Sequence, residues 1–312
     1  MTDSRPKTFL SGAALVWKRQ RILWLIFIVN FLLVHFFTHL VRARLGGILD
    51  HSLASAEVVR GFNLSAFVAI ASNPDAPFSG LTSGYLFSAI LFLIFTWFAT
   101  GGILASYYSG QRLRAGDFFE ACGHHFWRFV RLSVYLVAAL VPVVILGAIA
   151  NRIDHRLETQ SISPMPGVYF LEASVAVIVF LLICIRTWFD MAQVIAVAED
   201  EYRMYKVLRR AAGLFWRNFG SLFWLYFRVS LIAWVVFYLG MRTWMERLHP
   251  ESTVAAMLLS QFLIIFCLAC RLWQRASECI WYRDYQRELA AADEPPPLEP
   301  SLSQNPVTAP VT

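Results

Sequence analysis

The stretch LRRAAGLFWRNF (residues 208–219) runs directly into GSLFWLYFRVSLIAWVVFYL (residues 220–239). In and just before the first part, Tyr205, Leu208, Ala212, Phe215 and Phe219 recur at intervals of three and four, while Arg203, Lys206, Arg210 and Arg217 fall on the opposite side. That is the period of an amphipathic helix. The second part is apolar for about 20 residues, the length needed to cross a hydrocarbon core about 30 Å thick, and it carries a single charge, Arg228. A basic helix bearing a tryptophan and leading into such a run reads as an interfacial helix followed by a membrane span.

Five further runs of similar length and apolarity occur, so the expected spans are 22–41, 85–107, 132–150, 168–187, 221–239 and 255–272. The chain of 312 residues is 58% hydrophobic and 15% charged, well below the roughly 25% charged residues of an average soluble domain. The expected fold is therefore all-α: a polytopic membrane domain over residues 1–292, with a proline-rich, disordered tail at 293–312. The fourth span is expected to continue as one helix to about Ala198, and the sixth through Trp273, Arg275 and Trp281 to Leu289.

The net charge of +6 is not read as a nucleic-acid footprint, because its distribution is that of a membrane topology. Nineteen of the 27 Lys and Arg residues lie on the N-terminal, second-to-third, fourth-to-fifth and C-terminal segments; seven lie on the alternate connections, and Arg228 is within a span. An excess of basic residues marks the cytoplasmic side, which places both termini there, in a bacterial plasma membrane. The first apolar run, at about 20 residues, exceeds the 7 to 15 of a cleaved signal sequence, and Val41-Arg42-Ala43 is a poor cleavage site. The five cysteines all fall in spans or on the expected cytoplasmic side, which leaves no extracellular disulfide framework.

Two other segments resemble 208–219. Residues 9–20 place Leu10, Ala13 and Trp17 at helical spacing beside Lys18, Arg19 and Arg21. A helix expected to begin at Asp117, with Glu120 three residues on as in a capping box, has Phe118, Cys122, Phe126 and Phe129 on one face and His124, His125, Arg128 and Arg131 on the other. Aligned on their tryptophans, the segments read Val16-Trp17-Lys18, Phe126-Trp127-Arg128 and Phe215-Trp216-Arg217. One span later come Asp50-His51, Asp154-His155 and Glu246 with His249, and each second span closes on Trp97, Trp188 or Trp273. Arg186 and Arg271 precede the last two tryptophans by two residues. The expectation is three parallel two-helix repeats, each preceded by a cytoplasmic interfacial helix, the first repeat having a longer outer connection. In that connection residues 53–70 read as helical and 72–84 as loop.

Glu199-Asp200, Leu208-Arg209-Arg210-Ala211, the basic tryptophan segment before a span, and Trp281-Tyr282-Arg283-Asp284 after the last one resemble a broad set of uncharacterised bacterial six-span membrane proteins. That set includes the membrane region accompanying some glycerophosphodiester phosphodiesterases. The resemblance spans most of residues 10–290. It implies a membrane module without catalysis of its own, because the phosphodiesterase activity of that group resides in a separate barrel for which this sequence has no room.

Arg228 sits about 10 Å along its helix from Ser221, where a bare charge costs about 2.5–3.5 kcal/mol at the bilayer centre and calls for a partner. Asp190 is the first candidate, with Gln193 or Asn30 as neutral substitutes, although Arg186 competes for Asp190 at i, i+4. Arg228, Asp190, Arg186, Asn30 and Glu172 form the candidate intramembrane polar site. Lys18, Arg19, Arg128, Arg131, Arg210 and Arg217 are the candidate contacts to anionic lipid headgroups. His35 and His39 share a helical face, and His124-His125 are adjacent, but packing and hydration explain them without a metal. The outer Asp and His residues read as helix-end polar residues, and Cys267-x-x-Cys270, lacking a second pair, as small packing residues. No metal or cofactor is expected, and no nucleotide or hydrolase motif is present. The expected function is a non-enzymatic scaffold or accessory subunit that binds lipid or a membrane-protein partner. The alternative is a transporter whose polar cavity lies between the repeats.

Overall fold

The computed structural model describes residues 5–49, 78–160, 165–247 and 252–293. Among them there are eight helices and no strand: α1 (Arg5–Lys18), α2 (Gln20–Leu49), α3 (Phe78–Ser109), α4 (Ala115–Gln160), α5 (Met165–Ala198), α6 (Met204–Arg217), α7 (Phe219–Arg247) and α8 (Thr253–Asp293). Five of these, α3, α4, α5, α7 and α8, are long and apolar enough to cross a membrane, and α2 makes a sixth if it is counted with α1, from which it bends by 68°. The length of the apolar runs is what dictates this: a helix satisfies its own backbone groups, as a hydrocarbon interior demands. The expected helical segment 53–70, residues 72–77 of the expected loop, Asp50, His51, His249 and the tail after Asp293 lie outside the described residues, whereas residues 78–84 of that loop are helical and form the first turns of α3.

The three long helices α3, α5 and α8 pack on one another at the end where most basic residues gather. The best-buried side chains are there, among them Leu104, Tyr107, Met191, Ile195 and Tyr282. The opposite halves of the same helices expose Leu86, Phe87, Val175, Val177, Met257 and Leu258, apolar surface of the kind a lipid environment covers. The shorter segments lie against the buried ends: α1 on α8, the start of α4 on α3, and α6 on α5.

Small residues permit these approaches. A Cβ on Gly12 of α1 would come 3.1 Å from the Ser277 backbone nitrogen, and one on Gly102 of α3 would come 2.8 Å from the Phe118 carbonyl oxygen. The tryptophans of the long helices bind the crossing segments: Trp188 Nε1 donates to the Leu208 carbonyl oxygen at 3.0 Å, and Trp273 Nε1 donates to that of Phe9 at 2.7 Å. Leu208 and Phe9 stand the same number of residues ahead of Trp216 and Trp17, so the two bonds occupy one place in the tryptophan alignment.

Several local expectations are corrected. The start of α4 is not a separate helix, for α4 runs unbroken from Ala115 to Gln160 with Pro142 inside it. Asn218 ends α6, where its side-chain amide nitrogen donates to the Leu214 carbonyl oxygen at 3.2 Å, and Arg19 stands at the break after α1; the aligned residue in α4 is Phe129, which is buried within the unbroken helix. Asp117 is no cap, because Phe118 N bonds back to the Arg114 carbonyl. It lies in the first turn, where a carboxylate still suits the helix dipole. The faces are also turned. In α6 Met204, Val207, Leu208, Ala211, Leu214 and Phe215 are buried while Tyr205 is exposed. In α1 Thr8 and Val16 are buried while Leu10 and Trp17 are exposed.

Candidate functional site

At the basic end a polar network joins α5 to α8. The buried Asp190 carboxylate meets Arg275 Nη2 at 2.9 Å and Arg186 Nε at 3.8 Å, and accepts a hydrogen bond from Gln274 Nε2 at 3.3 Å. Gln274 also donates to Glu278 Oε1 at 3.0 Å, and Arg275 donates to Gln193 Oε1. Glu278 Oε2 is buried without a hydrogen-bond partner. Helix spacing builds this arrangement: Arg186 and Asp190, and Gln274 and Glu278, are each one turn apart. Asp190 and Arg275 each follow a tryptophan, Trp188 or Trp273, by two residues, and Ala99 occupies that place after Trp97. Ala99 is buried as well.

The sequence candidates are thus brought together only in part. Asp190 and Arg186 meet, but Arg228 is not their partner: its guanidinium lies over the Trp224 ring, 4.9 Å from the centroid. The neighbouring turn supplies a cation–π contact, and Asp190 is taken by Arg275. Asn30 lines a cavity of about 60 Å³ with Thr96, Thr100, Arg271 and Arg275, and its Oδ1 has no hydrogen-bond partner. Glu172 is exposed and lies about 21 Å along α5 from Arg186 at 1.5 Å per residue, outside the network. Arg275, Gln274 and Glu278 are the members that sequence reasoning missed. The signal that could have found Arg275 is its place after Trp273, matching that of Asp190 after Trp188.

Two of the expected lipid contacts are inside the protein. Arg128 is 3% exposed; its Nη1 donates to Asp200 Oδ1 at 2.6 Å, and its guanidinium lies 3.9 Å from the centre of the Tyr202 ring. Arg19 is buried and donates to Ser106 Oγ at 2.6 Å. Each has exchanged phosphate for a partner from another helix or loop. Lys18, Arg131, Arg210 and Arg217 remain exposed, with Arg210 paired to Glu199. Glu199 also accepts from Tyr282 Oη at 2.6 Å, which ties the end of α5 to α8.

His124, His125 and Asp200 bring three potential ligand atoms within 4.8 Å of one another. The Arg128 guanidinium already fills the centre, 3.3 Å from His125 Nδ1 and 3.1 Å from His124 Nε2. A divalent ion there would have to displace a buried cation, so the arrangement fits an arginine clamp. His124 Nε2 is also 3.0 Å from Asp200 Oδ1; a single ring nitrogen can accept from Arg128 or donate to Asp200 but cannot do both. Asp200 itself has φ +50, and the hydrogen bond from Arg128 holds its carboxyl below the usual carboxylate range.

Comparison with protein-family models, with curated proteins and with solved structures returned no match. The functional reading therefore rests on the geometry.

Proposed function

We propose that the protein is a non-enzymatic scaffold or accessory subunit of a bacterial inner membrane. On this reading it has six spans arranged as three parallel two-helix repeats, with α1, the start of α4, and α6 lying on the cytoplasmic leaflet and both termini in the cytoplasm. Anionic lipid, or a membrane-protein partner, is held along these three segments. One observation carries the reading: Trp17, Trp127 and Trp216, which occupy one position in the three aligned segments, are 77%, 67% and 72% exposed. A soluble protein has little reason to present three large indoles to water from equivalent places, whereas an interfacial helix uses tryptophan as its depth anchor.

The neighbouring charges agree with this placement. Lys18, Arg131, Arg210 and Arg217 are exposed around the same segments, and each basic residue at an anionic surface contributes on the order of 1 kcal/mol. The equivalent Trp188 and Trp273 hydrogen bonds support the repeat, as does the place of buried Ala99, buried Asp190 and half-buried Arg275 at matching positions. The transporter reading is less favoured because Asp190 and Gln193 of α5 are spent on Gln274 and Arg275 of α8. The cavity beside them, about 60 Å³, is also far below the roughly 300–1,000 Å³ of a small-molecule site.

The test is depth-dependent fluorescence quenching in vesicles that contain brominated phospholipid. Variants retaining one of the three tryptophans, with the other ten replaced by phenylalanine, should each be quenched most by bromines near the headgroup. Strong quenching by an aqueous quencher instead, with none from the lipid, would place these helices in water and refute the seating.

A further inference from the structure

Arg186 and Arg271 stand at the same place ahead of Trp188 and Trp273, but their surroundings differ. One turn after Arg186 comes Asp190; one turn after Arg271 comes Arg275, a like charge. Among the described residues at this level of the bundle, Arg186, Arg271 and Arg275 outnumber the carboxylates of Asp190 and Glu278. Asp190 is held by Arg275 and Arg186, Glu278 is bonded to Gln274, and Arg228 rests on Trp224. Arg271 is exposed, and among the described residues it makes no hydrogen bond or ion pair. The protein presents here a surplus cation on a surface that is otherwise apolar.

That cation closes one end of a groove of about 400 Å³ between α7 and α8, lined by Phe237, Met241 and Trp244 on one side and Ala256, Ser260 and Cys267 on the other. Gly240 lets the helices meet at its floor, since a Cβ there would lie 2.6 Å from Leu263 Cδ2. From Ala256 to Arg271 the groove follows α8 for about 22 Å at 1.5 Å per residue, longer than the roughly 15 Å hydrocarbon half of one leaflet. Arg271 lies about 9 Å along α8 from Ser277, where α1 crosses, a depth from which an arginine snorkels to phosphate.

The occupant follows from this combination. A loop or extended peptide would bring unpaired backbone groups into the hydrocarbon region, and a second copy related by a two-fold axis would set Arg271 against its own image. An acyl chain has no polar groups to satisfy, and its phosphate supplies the missing charge. We propose that the α7–α8 groove binds one anionic phospholipid, with an acyl chain along the groove and the phosphate on Arg271. This inference rests on the membrane placement proposed above and adds a defined lipid site to it.

The test is native mass spectrometry of the full chain released from detergent, titrated with phosphatidylglycerol or with phosphatidylcholine of matched chains. The wild-type protein should retain one phosphatidylglycerol in preference to phosphatidylcholine. Arg271→Gln should weaken phosphatidylglycerol about tenfold, one charge-assisted contact, and phosphatidylcholine, whose choline already offsets its phosphate charge, by less, so that the preference shrinks, while Arg271→Lys should keep most of it. Ser260→Phe, which fills the groove without touching the arginine, should weaken both lipids. Equal retention of the two lipids by the wild-type protein, unchanged phosphatidylglycerol binding in Arg271→Gln, or unchanged binding of both in Ser260→Phe would each overturn the proposal. The tryptophan quenching does not involve Arg271, so failure of the groove and failure of the interfacial seating give different results.

Discussion

Removing the charge of Asp190 tests the network that joins α5 to α8. Asp190→Asn keeps the shape and leaves Arg275, whose side chain is 11% exposed, without its closest counter-charge. Breaking a buried pair by deleting one partner costs about 3–5 kcal/mol. Gln193 continues to accept from Arg275 and Glu278 is close by, so the lower end, about 3 kcal/mol, is expected. Arg275→Gln should cost a similar amount by stranding the carboxylate, although Arg186 at 3.8 Å offsets part of it. The double variant strands neither charge and should cost less than the sum of the two by about 2 kcal/mol, within the range of contacting residues. Equilibrium unfolding in mixed detergent micelles, followed by far-ultraviolet circular dichroism, measures all three. A loss under about 1 kcal/mol in Asp190→Asn, or strict additivity in the double variant, would refute the reasoning.

Other consequences follow from close packing and from the Asp200 turn. Gly102→Ala places a methyl group against the Phe118 carbonyl oxygen and the Cys122 sulfur, and the backbone partner cannot rotate away. A loss of about 1–3 kcal/mol is expected in the same unfolding assay, whereas Gly123→Ala, with open space around it, should be neutral or slightly stabilising. The depressed folded-state pKa of Asp200 means that its contact with Arg128 stabilises fully above the unfolded carboxylate value of about 3.9, and that this stability is lost as pH falls through the lower folded value. Asp200→Asn tolerates the left-handed backbone and removes only the charge. It should flatten the acid limb of a stability–pH profile, and an unchanged limb would show that the exposed carboxylate contributes nothing measurable.

Much of the helical architecture was legible because it depends on local properties. The length of an apolar run decides whether a helix can cross a bilayer, and the lack of breakers after Trp188 and Trp273 lets α5 and α8 continue to Ala198 and Asp293. The partners of charged residues were less legible, because they depend on which helix ends meet. Asp190 was paired by expectation with Arg228, the conspicuous charge in the next span, yet its partner lies at the aligned position on the last helix. Arg128 and Arg19 look like lipid contacts on a helical wheel; each is instead enclosed by a segment distant in sequence, Asp200 with Tyr202 and Ser106 with Tyr107. Helical periodicity also misplaced the buried faces of α1 and α6. Each helix has apolar residues on two strips, one that packs on a neighbouring helix and one that bears the exposed tryptophan, and a single sequence does not distinguish them.

The central claim is that the polar residues at membrane level are internal structure and not a pathway. Single cysteines at positions 30, 190 and 228, in a variant lacking the five native cysteines, can be exposed to a membrane-impermeant thiol reagent from each side of sealed vesicles. The account predicts that all three stay unlabelled from both sides while the protein is folded, and that they label after denaturation. Labelling of two or more from a common side would reveal a hydrated route between the helices, contradict the scaffold, and put a transporter in its place.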